Sequence, residues 1–317
     1  MEIDYNDLEY WMGKLPMEVR QRVPIIYLAI PGTHNSMTYG ISRSSKIAPD
    51  ADESVRRLNR LFPVIVRRWS KNQKINVTQQ LTIGIRYLDL RIAFNKKQDD
   101  YFFAHGLFAI SMKQPLLEIN EFLEQHRSEL VILDFQHFYN IDSDQHNDIQ
   151  KMVFSIFGHK ILTIDDGRLE DFTLDYCQKL NKQILVIYRR HFRELTKIVW
   201  PGNMWPTPWP NKASVKKLEG FLAETLERRQ PGIGYVSQCI ITPDSKYIML
   251  RFFLSLKWTA KRVEDYLQPW ILAQKAGVFH GNSHPTVNVF IADFVEINQA
   301  EFCKMVVNLN NFIEYRH

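Results

Sequence analysis

The sequence predicts an α/β fold in which helices cover a largely parallel sheet. Short apolar runs rich in β-branched and aromatic residues alternate with amphipathic stretches of helical period. The runs are continuously apolar, which is typical of strands buried on both faces of a parallel sheet. Their number suits a (β/α) barrel, and an open doubly wound sheet fits the same pattern. Because no repeat or linker-like segment divides the 317 residues, we expect one domain, residues 1–317.

The predicted elements follow the chain in order. The apolar runs expected to form strands are Ile25–Ile30, Tyr87–Ile92, Tyr101–His105, Leu130–Phe135, Gln183–Tyr188, Tyr235–Ile241 and Val287–Asp293. The stretches expected to form helices are Pro115–His126, Asn147–Phe157, Ala213–Arg229, Glu264–Ala276 and Gln299–Asn310. Two segments are expected to be irregular, the polar Ser42–Glu53 and the Trp- and Pro-rich Trp200–Asn211.

Composition limits the class of protein. The hydrophobic content of 45% is that of a folded globular chain, and the net charge of +5 is mild and spread along the sequence. This charge favours an anionic substrate or membrane face, and no nucleic-acid motif is present. Cys177, Cys239 and Cys303 share no metal-ligand spacing and are expected to be buried thiols. Because the N-terminus lacks an apolar leader and no run reaches the ~20 residues of a membrane span, we expect a cytoplasmic protein with at most peripheral membrane contact.

Polar side chains stand at the ends of most predicted strands. In chain order they are Thr33, His34, Asn35, Ser36, Asp89, Arg91, His105, Gln136, His137, Arg189, Arg190 and Asp293. Since the C-terminal ends of parallel barrel strands form one face, we expect these groups to converge. A single histidine at a strand end is often structural, and Asp89 with Arg91, two apart on one strand face, could form a purely structural ion pair.

Such a set suits chemistry on a phosphodiester. That reaction needs a base for the attacking oxygen, an acid for the leaving oxygen, and positive charge at the phosphoryl oxygens. His34 and His105 can serve as the base and the acid because histidine titrates near neutral pH. Arg91 can supply the charge, since its planar guanidinium matches phosphate geometry.

Several stretches, spread in order over nearly the whole chain, carry a family resemblance. They are LAIPGTHNSMTYGI, GIRYLDLRIA, YFFAHGLF, ELVILDFQHFY, IVWPGNMWPTPWPN and NVFIADFVE. Together they resemble the phosphatidylinositol-specific phospholipase C X-domain proteins, in particular the small members made of an X-type domain alone. The resemblance implies a distorted TIM-type barrel that cleaves phosphatidylinositol into diacylglycerol and an inositol cyclic phosphate.

The resemblance also implies roles for individual residues. His34 is expected to be the general base and Asp293 the carboxylate that orients it. His105 is expected to be the general acid toward the diacylglycerol oxygen. Arg91 falls where metal-independent relatives carry an arginine that stabilises the phosphoryl charge, and Asp89 is expected beside His105 or the phosphate.

The resemblance bears on metal use as well. Calcium-using relatives carry an Asn after the first His, two carboxylates on the second strand and a Glu at the fourth strand end, where this sequence has Asn35, Asp89, Arg91 and Gln136. Calcium needs several oxygen ligands with enough negative charge. We therefore predict metal-independent, cofactor-free chemistry in which Arg91 does the work of calcium. Asn35 and Gln136 are expected near the substrate, and Arg189 is expected to hold an inositol hydroxyl.

Asn35 departs from the metal-independent relatives, which usually have Asp there. That Asp helps the second histidine act as an acid, and a neutral Asn cannot stabilise an imidazolium in the same way. The sequence therefore leaves two expectations, that Asp89 fills this role for His105 or that turnover is slow.

Two segments are candidates for lipid contact. The Trp200–Asn211 loop could place Trp205 and Trp209 at a membrane interface, where tryptophan is favoured, or could simply pack over the barrel. Ser54–Trp69 has apolar residues at helical spacing flanked by arginines, interrupted by Pro63. It could lie on an anionic surface or face the core as an ordinary helix.

Three functions stay open on the sequence alone. The first is a phospholipase acting on phosphatidylinositol in membranes, with no nucleic acid and no obligate protein partner. The second is a glycerophosphodiesterase-like hydrolase, which would need a carboxylate pair for metal that Asp89 and Arg91 do not offer. The third is a non-catalytic phosphoinositide-binding barrel, which Asn35 leaves open and the His34/His105 pair opposes.

Overall fold

The computed structural model describes residues 7–190, 196–243, 245–280 and 283–314, so residues 1–6, on which the expectation about the N-terminus partly rests, lie outside it. A curled sheet of mostly parallel strands forms the centre. Its strands are β1 Ile30–Thr33, β2 Tyr87–Asn95, β3 Asp100–His105, β4 Leu107–Ser111, β5 Val131–Tyr139, β6 Ile161–Leu162, β7 Ile184–Tyr188, β8 Trp200–Pro201, β9 Val236–Gln238 and β10 Val289–Ala292. The path β6-β7-β5-β2-β1-β10-β9 is parallel throughout, and β8 also pairs in parallel with β7.

The chain after β8 joins the two edges of this curled sheet. The Gly234 N–H donates to the Met204 carbonyl at 3.0 Å, and the Val236 N–H donates to the Pro206 carbonyl at 2.9 Å. Because β8 itself pairs with β7, this seam connects β7 to β9 and closes a distorted barrel. The predicted barrel is thus confirmed, and the open doubly wound sheet is wrong. The expectation that Trp200–Asn211 contains no strand fails only for its first two residues.

Helices cover the outside of the barrel and its C-terminal rim. They are α1 Trp11–Lys14, α2 Met17–Arg22, α3 Glu53–Leu61, α4 Pro63–Ser70, α5 Val77–Thr82, α6 Lys113–Gln125, α7 Ser143–Phe157, α8 Leu174–Lys179, α9 Val215–Leu226, α10 Ser245–Leu250, α11 Leu256–Leu272 and α12 Glu301–Asn308. The predicted helices correspond to α6, α7, α9, the second half of α11, and α12. The three cysteines are buried free thiols, as expected. Among the described residues, none of these helices combines the length and hydropathy needed to cross a membrane.

The first predicted strand is displaced in the structure. The run Ile25–Ile30 is fully buried except for a few per cent of Tyr27, but Ile25–Tyr27 forms a 3₁₀ helix and β1 begins only at Ile30. The Asn288 side-chain amide donates to the carbonyls of Ile25 and Leu28. Side chains thus satisfy backbone groups that a strand would have paired, and the apolar run reflects burial rather than strand formation.

The third predicted strand is also different. β3 runs antiparallel to β2, and β4 runs antiparallel to β3. β2 extends past the barrel rim to Asn95, turns at Asp99, which has a φ of 51°, and returns as β3. His105 therefore reaches the mouth on a hairpin that folds back over the rim, and not at the C-terminal end of a parallel barrel strand.

Candidate active site

His34 and Asp293 follow two neighbouring parallel strands, β1 and β10, and meet beyond the strand ends. His34 Nδ1 lies 2.8 Å from Asp293 Oδ1, and the Asn72 side-chain amide donates to the same carboxylate oxygen at 2.9 Å. A carboxylate can only accept, so the hydrogen-bond network assigns the proton of neutral His34 to Nδ1. The lone pair of His34 is therefore at Nε2, which is the form a general base requires.

The Nε2 atom of His34 faces the remaining polar groups of the mouth. Arg91 Nη2 lies 3.0 Å from it and Asn35 Nδ2 lies 3.1 Å from it, and both can donate to the lone pair. The Asn35 amide also donates to Asn72 Oδ1 at 3.1 Å. Asn35 has a φ of 45°, a left-handed conformation that asparagine tolerates and that turns its side chain beside His34. The sequence-predicted base is thus surrounded by donors.

Asp89 and Arg91 lie on one face of β2, as their spacing predicted. Arg91 Nε and Nη2 approach the Asp89 oxygens at 3.4 and 3.3 Å, and Asp89 Oδ2 also accepts the Asn35 backbone N–H at 3.0 Å. Burial would raise the pKa of Asp89, but the charges of Arg91 and His34 and the Asn35 N–H outweigh it, so that the pKa is lowered. Burial would likewise lower the pKa of Arg91, but the Asp89 carboxylate raises it. Both groups are therefore charged at neutral pH.

His105 lies across the mouth from His34. Its Nδ1–H donates to the Ser70 carbonyl at 2.9 Å, and the two imidazole centroids are 6.3 Å apart. This contact fixes the ring and leaves Nε2 to carry a second proton. Burial first, and then the positive charge of Arg91, lower the pKa of His105. As an acid His105 would need compensating negative charge nearby.

Asp50 contributes negative charge near His105, whereas Asp89 makes no hydrogen bond or ion pair with His105 within the described residues, so its support of His105 stays a prediction. Asp89 is held by Arg91 and the Asn35 N–H, whereas the hydrogen bond to the Ser70 carbonyl and then the charge of Asp50 raise the pKa of His105 against the larger effects of burial and Arg91. Asp50 Oδ2 accepts the Gly106 N–H at 2.6 Å. Its Oδ1 is buried and has no hydrogen-bond partner within the described part of the chain.

The sequence contained no signal for Asp50. The residue lies in the polar segment Ser42–Glu53, which was predicted only to be irregular. Long-range backbone contacts bring it to the site, among them the Ala48 N–H to the Gly106 carbonyl at 3.0 Å and the bridge between Ile47 and Leu107. Such pairing has no local sequence period, so pattern analysis could not find it.

The expected inositol contacts of Arg189 and Gln136 are not supported. Arg189 makes a two-pronged ion pair with Asp134, at 2.8 and 2.5 Å, and also donates to the carbonyls of Gly202 and Trp205. The Gln136 amide donates to Asp134 and to the Tyr87 hydroxyl, each at 3.1 Å. Arg189 therefore connects the end of β7 to the segment that forms the seam, through its bonds to the Gly202 and Trp205 carbonyls.

The two candidate membrane tryptophans have different positions. Trp205 is fully buried, and a Cβ on Gly234 would come within 2.1 Å of its ring, so the ring fills the seam against β9. Trp205 as a lipid contact is therefore wrong, and the packed-loop alternative is correct for it. Trp209 is 46% exposed, with its ring 6.0 Å from that of His34 and 5.9 Å from the Arg91 guanidinium. It walls the mouth.

The two histidines, Arg91, Asp293 and Trp209 line one cavity of about 320 Å³ that has a polar and an apolar side. The polar side contains His34, Asp50, Arg91, His105 and Asp293. The apolar side comes from α3, α4, α11 and the segment between β9 and α11, through Val55, Leu58, Ile65, Val66, Trp69, Ile241, Pro243, Ile248 and Leu256. The helical pattern of Ser54–Trp69, broken at Pro63 as predicted, therefore builds a wall of the site.

Comparison with known proteins identifies the family of this chain. Residues 64–190 match the family model described as "Phosphatidylinositol-specific phospholipase C, X domain". The chain is 34% identical to "PI-PLC X domain-containing protein 3" of Bos taurus over 98% of this chain and 96% of that protein. The chain belongs to this family. It is also 36% identical to "PI-PLC X domain-containing protein 2" of Mus musculus, over 96% of this chain and 88% of that protein.

Solved structures show a similar fold. The "phosphatidylinositol-specific phospholipase C from Listeria monocytogenes" superposes with a TM-score of 0.66 at 18% identity, covering 96% of this chain and all of that one. A mutant of the phosphatidylinositol-specific phospholipase C from Staphylococcus aureus gives 0.65 at 14% identity, covering 99% of this chain and all of that one. At these identities the likeness establishes the barrel alone.

The donor set of this X-domain chain does not fit calcium. The Asp89 oxygens are engaged by Arg91 and the Asn35 N–H, so a cation there would meet a guanidinium. Over the described ranges, no cluster of three or more His, Cys, Asp or Glu side chains could hold a metal ion. Calcium needs six to eight oxygen ligands with net negative charge, and the positive charge of Arg91 opposes that requirement.

Proposed function

We propose that this X-domain protein is a phosphodiesterase that cleaves phosphatidylinositol into diacylglycerol and an inositol cyclic phosphate. One observation carries the proposal. The Nε2 lone pair of His34, backed by Asp293, lies 3.0 Å from Arg91 in a cavity that also contains His105. A base, a fixed positive charge and a second proton carrier therefore face one space, which is what phosphodiester cleavage requires.

His34 acts first in this mechanism. Its Nε2 takes the proton of the inositol 2-hydroxyl while that oxygen attacks phosphorus. Asp293 stabilises the imidazolium that forms, through the Nδ1–H bond. The donors now on Nε2, from Arg91 and Asn35, turn to the phosphoryl oxygens, so that the guanidinium stabilises charge that builds in the transition state.

His105 completes the cleavage by protonating the diacylglycerol oxygen. Its Nδ1–H stays on the Ser70 carbonyl, which directs Nε2 into the cavity. Because burial and then the Arg91 charge lower the pKa of His105, His105 holds a second proton weakly without substrate. An anionic phosphodiester offsets the Arg91 charge, and the charge of Asp50 acts on the pKa of His105 in the same direction.

The apolar side of the cavity suits the lipid part of the substrate. Leu58, Ile65 and Ile248 line the same cavity as the polar groups that would hold the phosphate. Burial of glycerol and first acyl carbons there is favourable at about 25 cal/mol per Å² of apolar area. The cavity is thus matched to a molecule with an anionic headgroup and an apolar tail.

The test is product analysis on headgroup-labelled phosphatidylinositol in mixed micelles. Wild type should release inositol cyclic phosphate, and His34→Ala and His105→Ala should each lower kcat by about 10²–10⁴-fold. His159→Ala is the matched control, because His159 lies just before β6 at the opposite end of the barrel. Release of product by wild type at the same rate as by His34→Ala would disprove the mechanism.

A second candidate, a phosphoinositide-binding barrel without turnover, is favoured by one feature. Asn35 stands beside His34 Nε2 and brings no negative charge to the site, while the pKa of His105 is lowered. If wild type binds micelles that contain phosphatidylinositol but releases no product after long incubation, the protein has this binding function instead.

A further inference from the structure

A second cavity, of about 320 Å³, lies on the other side of α4 and shares no lining residue with the first. Ile65, Val66 and Trp69 of α4 line the cavity that contains His34, whereas Arg67 and Arg68 line the second one. We call the second cavity the basic pocket. Its lining consists of Ile41, Ser42, Arg43, Arg67, Arg68, Lys71, Ser255, Lys257 and Phe294.

The basic pocket contains five cationic side chains and no acidic one among its described lining residues. Lys257 is paired outside the lining with Glu296, at 2.7 Å, and the Lys71 ammonium donates to the Ile41 carbonyl at 3.2 Å. Arg43, Arg67 and Arg68 have no carboxylate partner among residues 7–190, 196–243, 245–280 and 283–314. Partial burial first, and then the charges of Arg67 and Lys74, lower the pKa of Lys71, which reflects uncompensated positive charge.

An exposed apolar surface adjoins the basic pocket. We define this rim surface as Leu61, Phe62, Val64, Met249, Leu250 and Phe253, whose exposed fractions run from 44% to 87%. Phe62 joins its two parts, since its ring centroid lies 5.4 Å from that of Phe252. Large exposed apolar patches mark interaction surfaces on soluble domains.

The rim surface and the basic pocket lie on the same elements. Val64 precedes Arg67 and Arg68 by three and four positions in α4, which puts the three side chains on one helix face. In the same way, Phe253 lies just before Ser255, the N-cap of α11, and Lys257 lies in its first turn. Apolar and cationic side chains thus lie together on these two helices, the arrangement by which proteins rest on anionic membranes.

We propose that the basic pocket binds the phosphate of an anionic phospholipid headgroup, at a site separate from the catalytic cavity, when the rim surface rests on a membrane. The ligand chemistry is a phosphodiester anion, recognised by arginine forks. A lipid is the source rather than free phosphate, because only a lipid explains the apolar rim beside the cations. The bound lipid anchors the barrel with its mouth toward the bilayer.

The test uses vesicle co-sedimentation with phosphatidylserine, which is not the proposed substrate. All proteins carry His105→Ala, so that binding is measured without turnover and independently of the proposed function. Binding is compared between phosphatidylcholine vesicles and vesicles with one-fifth phosphatidylserine. Arg67→Ala/Arg68→Ala should weaken binding to the anionic vesicles by roughly 25-fold, with about fivefold from each arginine, and leave binding to phosphatidylcholine unchanged.

Matched variants control for net charge and folding. Arg127→Ala/Arg228→Ala removes the same charge from exposed residues next to the N-terminal ends of β5 and β9, on the opposite side of the barrel, and should bind like wild type. Arg67→Lys/Arg68→Lys keeps the charge and should retain most of the binding. Phe62→Ser/Phe253→Ser should weaken binding to both vesicle types, because it removes apolar contact.

Two outcomes would overturn the proposal. One is equal loss of anionic-vesicle binding in the Arg67/Arg68 and Arg127/Arg228 alanine pairs, which would reduce the effect to net charge. The other combines two results: calorimetry shows that inorganic phosphate binds and that this binding is lost in Arg67→Ala/Arg68→Ala, while the preference for anionic vesicles is the same in this variant as in wild type. The pocket would then be a site for a free anion.

Discussion

Arg86, just before β2, and Arg91, within β2, lie at opposite ends of the barrel, each beside a carboxylate, and the two pairs are completed in different ways. At the bottom of the barrel, Arg86 is fully buried and lies 2.8 Å from Glu129. Its remaining N–H groups donate to the carbonyls of Leu81, Ile85 and Glu9, and Glu129 in turn accepts the N–H groups of Met12 and Gly13. The hydrogen-bonding groups of both residues are therefore occupied by contacts within the fold.

At the mouth, Arg91 reaches Asp89 only at 3.3–3.4 Å, and its shortest contact is to a histidine lone pair. That contact can be exchanged for one to a substrate without leaving a buried group unpaired. Arg189, whose donors are taken by Asp134 and two carbonyls, resembles the bottom pair although it stands at the mouth. Completeness of hydrogen bonding, rather than position at a strand end, therefore separates structural arginines from those available to a ligand.

The largest effect should come from the bottom pair. Arg86→Ala leaves Glu129 as a buried charge without its partner, so we expect a loss of about 3–5 kcal/mol in the free energy of unfolding. Urea denaturation followed by circular dichroism measures it. Arg127→Ala, at an exposed position, should change stability by no more than about 0.5 kcal/mol. A loss below about 1 kcal/mol for Arg86→Ala would remove the contrast between the two ends.

Arg91→Ala should show the opposite pattern. The charge it removes acts on the phosphoryl group, so kcat/KM on phosphatidylinositol should fall by about 10²–10³-fold. Unfolding should change less than for Arg86→Ala, because Asp89 keeps the Asn35 N–H bond. Arg91→Lys, which retains charge without the planar fork, should recover part of the activity. Equal activity of Arg91→Ala and wild type would refute a role in catalysis.

Asp50→Asn tests the support of His105. His105 must be protonated to act as the acid, and Asp50 raises its otherwise lowered pKa. Removing that charge lowers the pKa further, so the alkaline limb of the kcat profile should move to lower pH, with about tenfold or less lost at neutral pH. Because His34 and His105 interact, the limb reports the pair. A pure change in KM with an unmoved profile would count against this role.

The smallest effect should come from chelation. Arg91 supplies the positive charge that an oxygen-bound cation would otherwise supply, so excess EDTA should leave kcat on phosphatidylinositol within error. Added calcium should not restore activity to Arg91→Ala. Loss of wild-type activity in chelator, with recovery on calcium addition, would contradict metal-independent chemistry.

Sequence analysis located the features that depend on local pattern. His34 and Asp293 follow adjacent parallel strands, and the strand-end rule was enough to bring them together. It could not distinguish Trp205 from Trp209, which share a similar local sequence, because the packing of Trp205 is decided by Gly234 on a distant segment. Nor could it find Asp50, whose place is set by contacts with Gly106. Sequence periodicity cannot identify residues whose role depends on long-range pairing of irregular segments.

The seam that the chain after β8 forms with β9 affects the stability of the barrel wall. Pro206 and Pro208 have no N–H, so at these positions the segment can only accept hydrogen bonds from β9 and cannot donate any in return. Such a closure has fewer links per residue than the two-sided ladders elsewhere in the barrel. The amides of Gly234 and Val236 should therefore exchange with solvent deuterium sooner than those of β5 or β10. Trp209 belongs to the same segment. Local opening of the seam would therefore also increase the mobility of one side of the mouth.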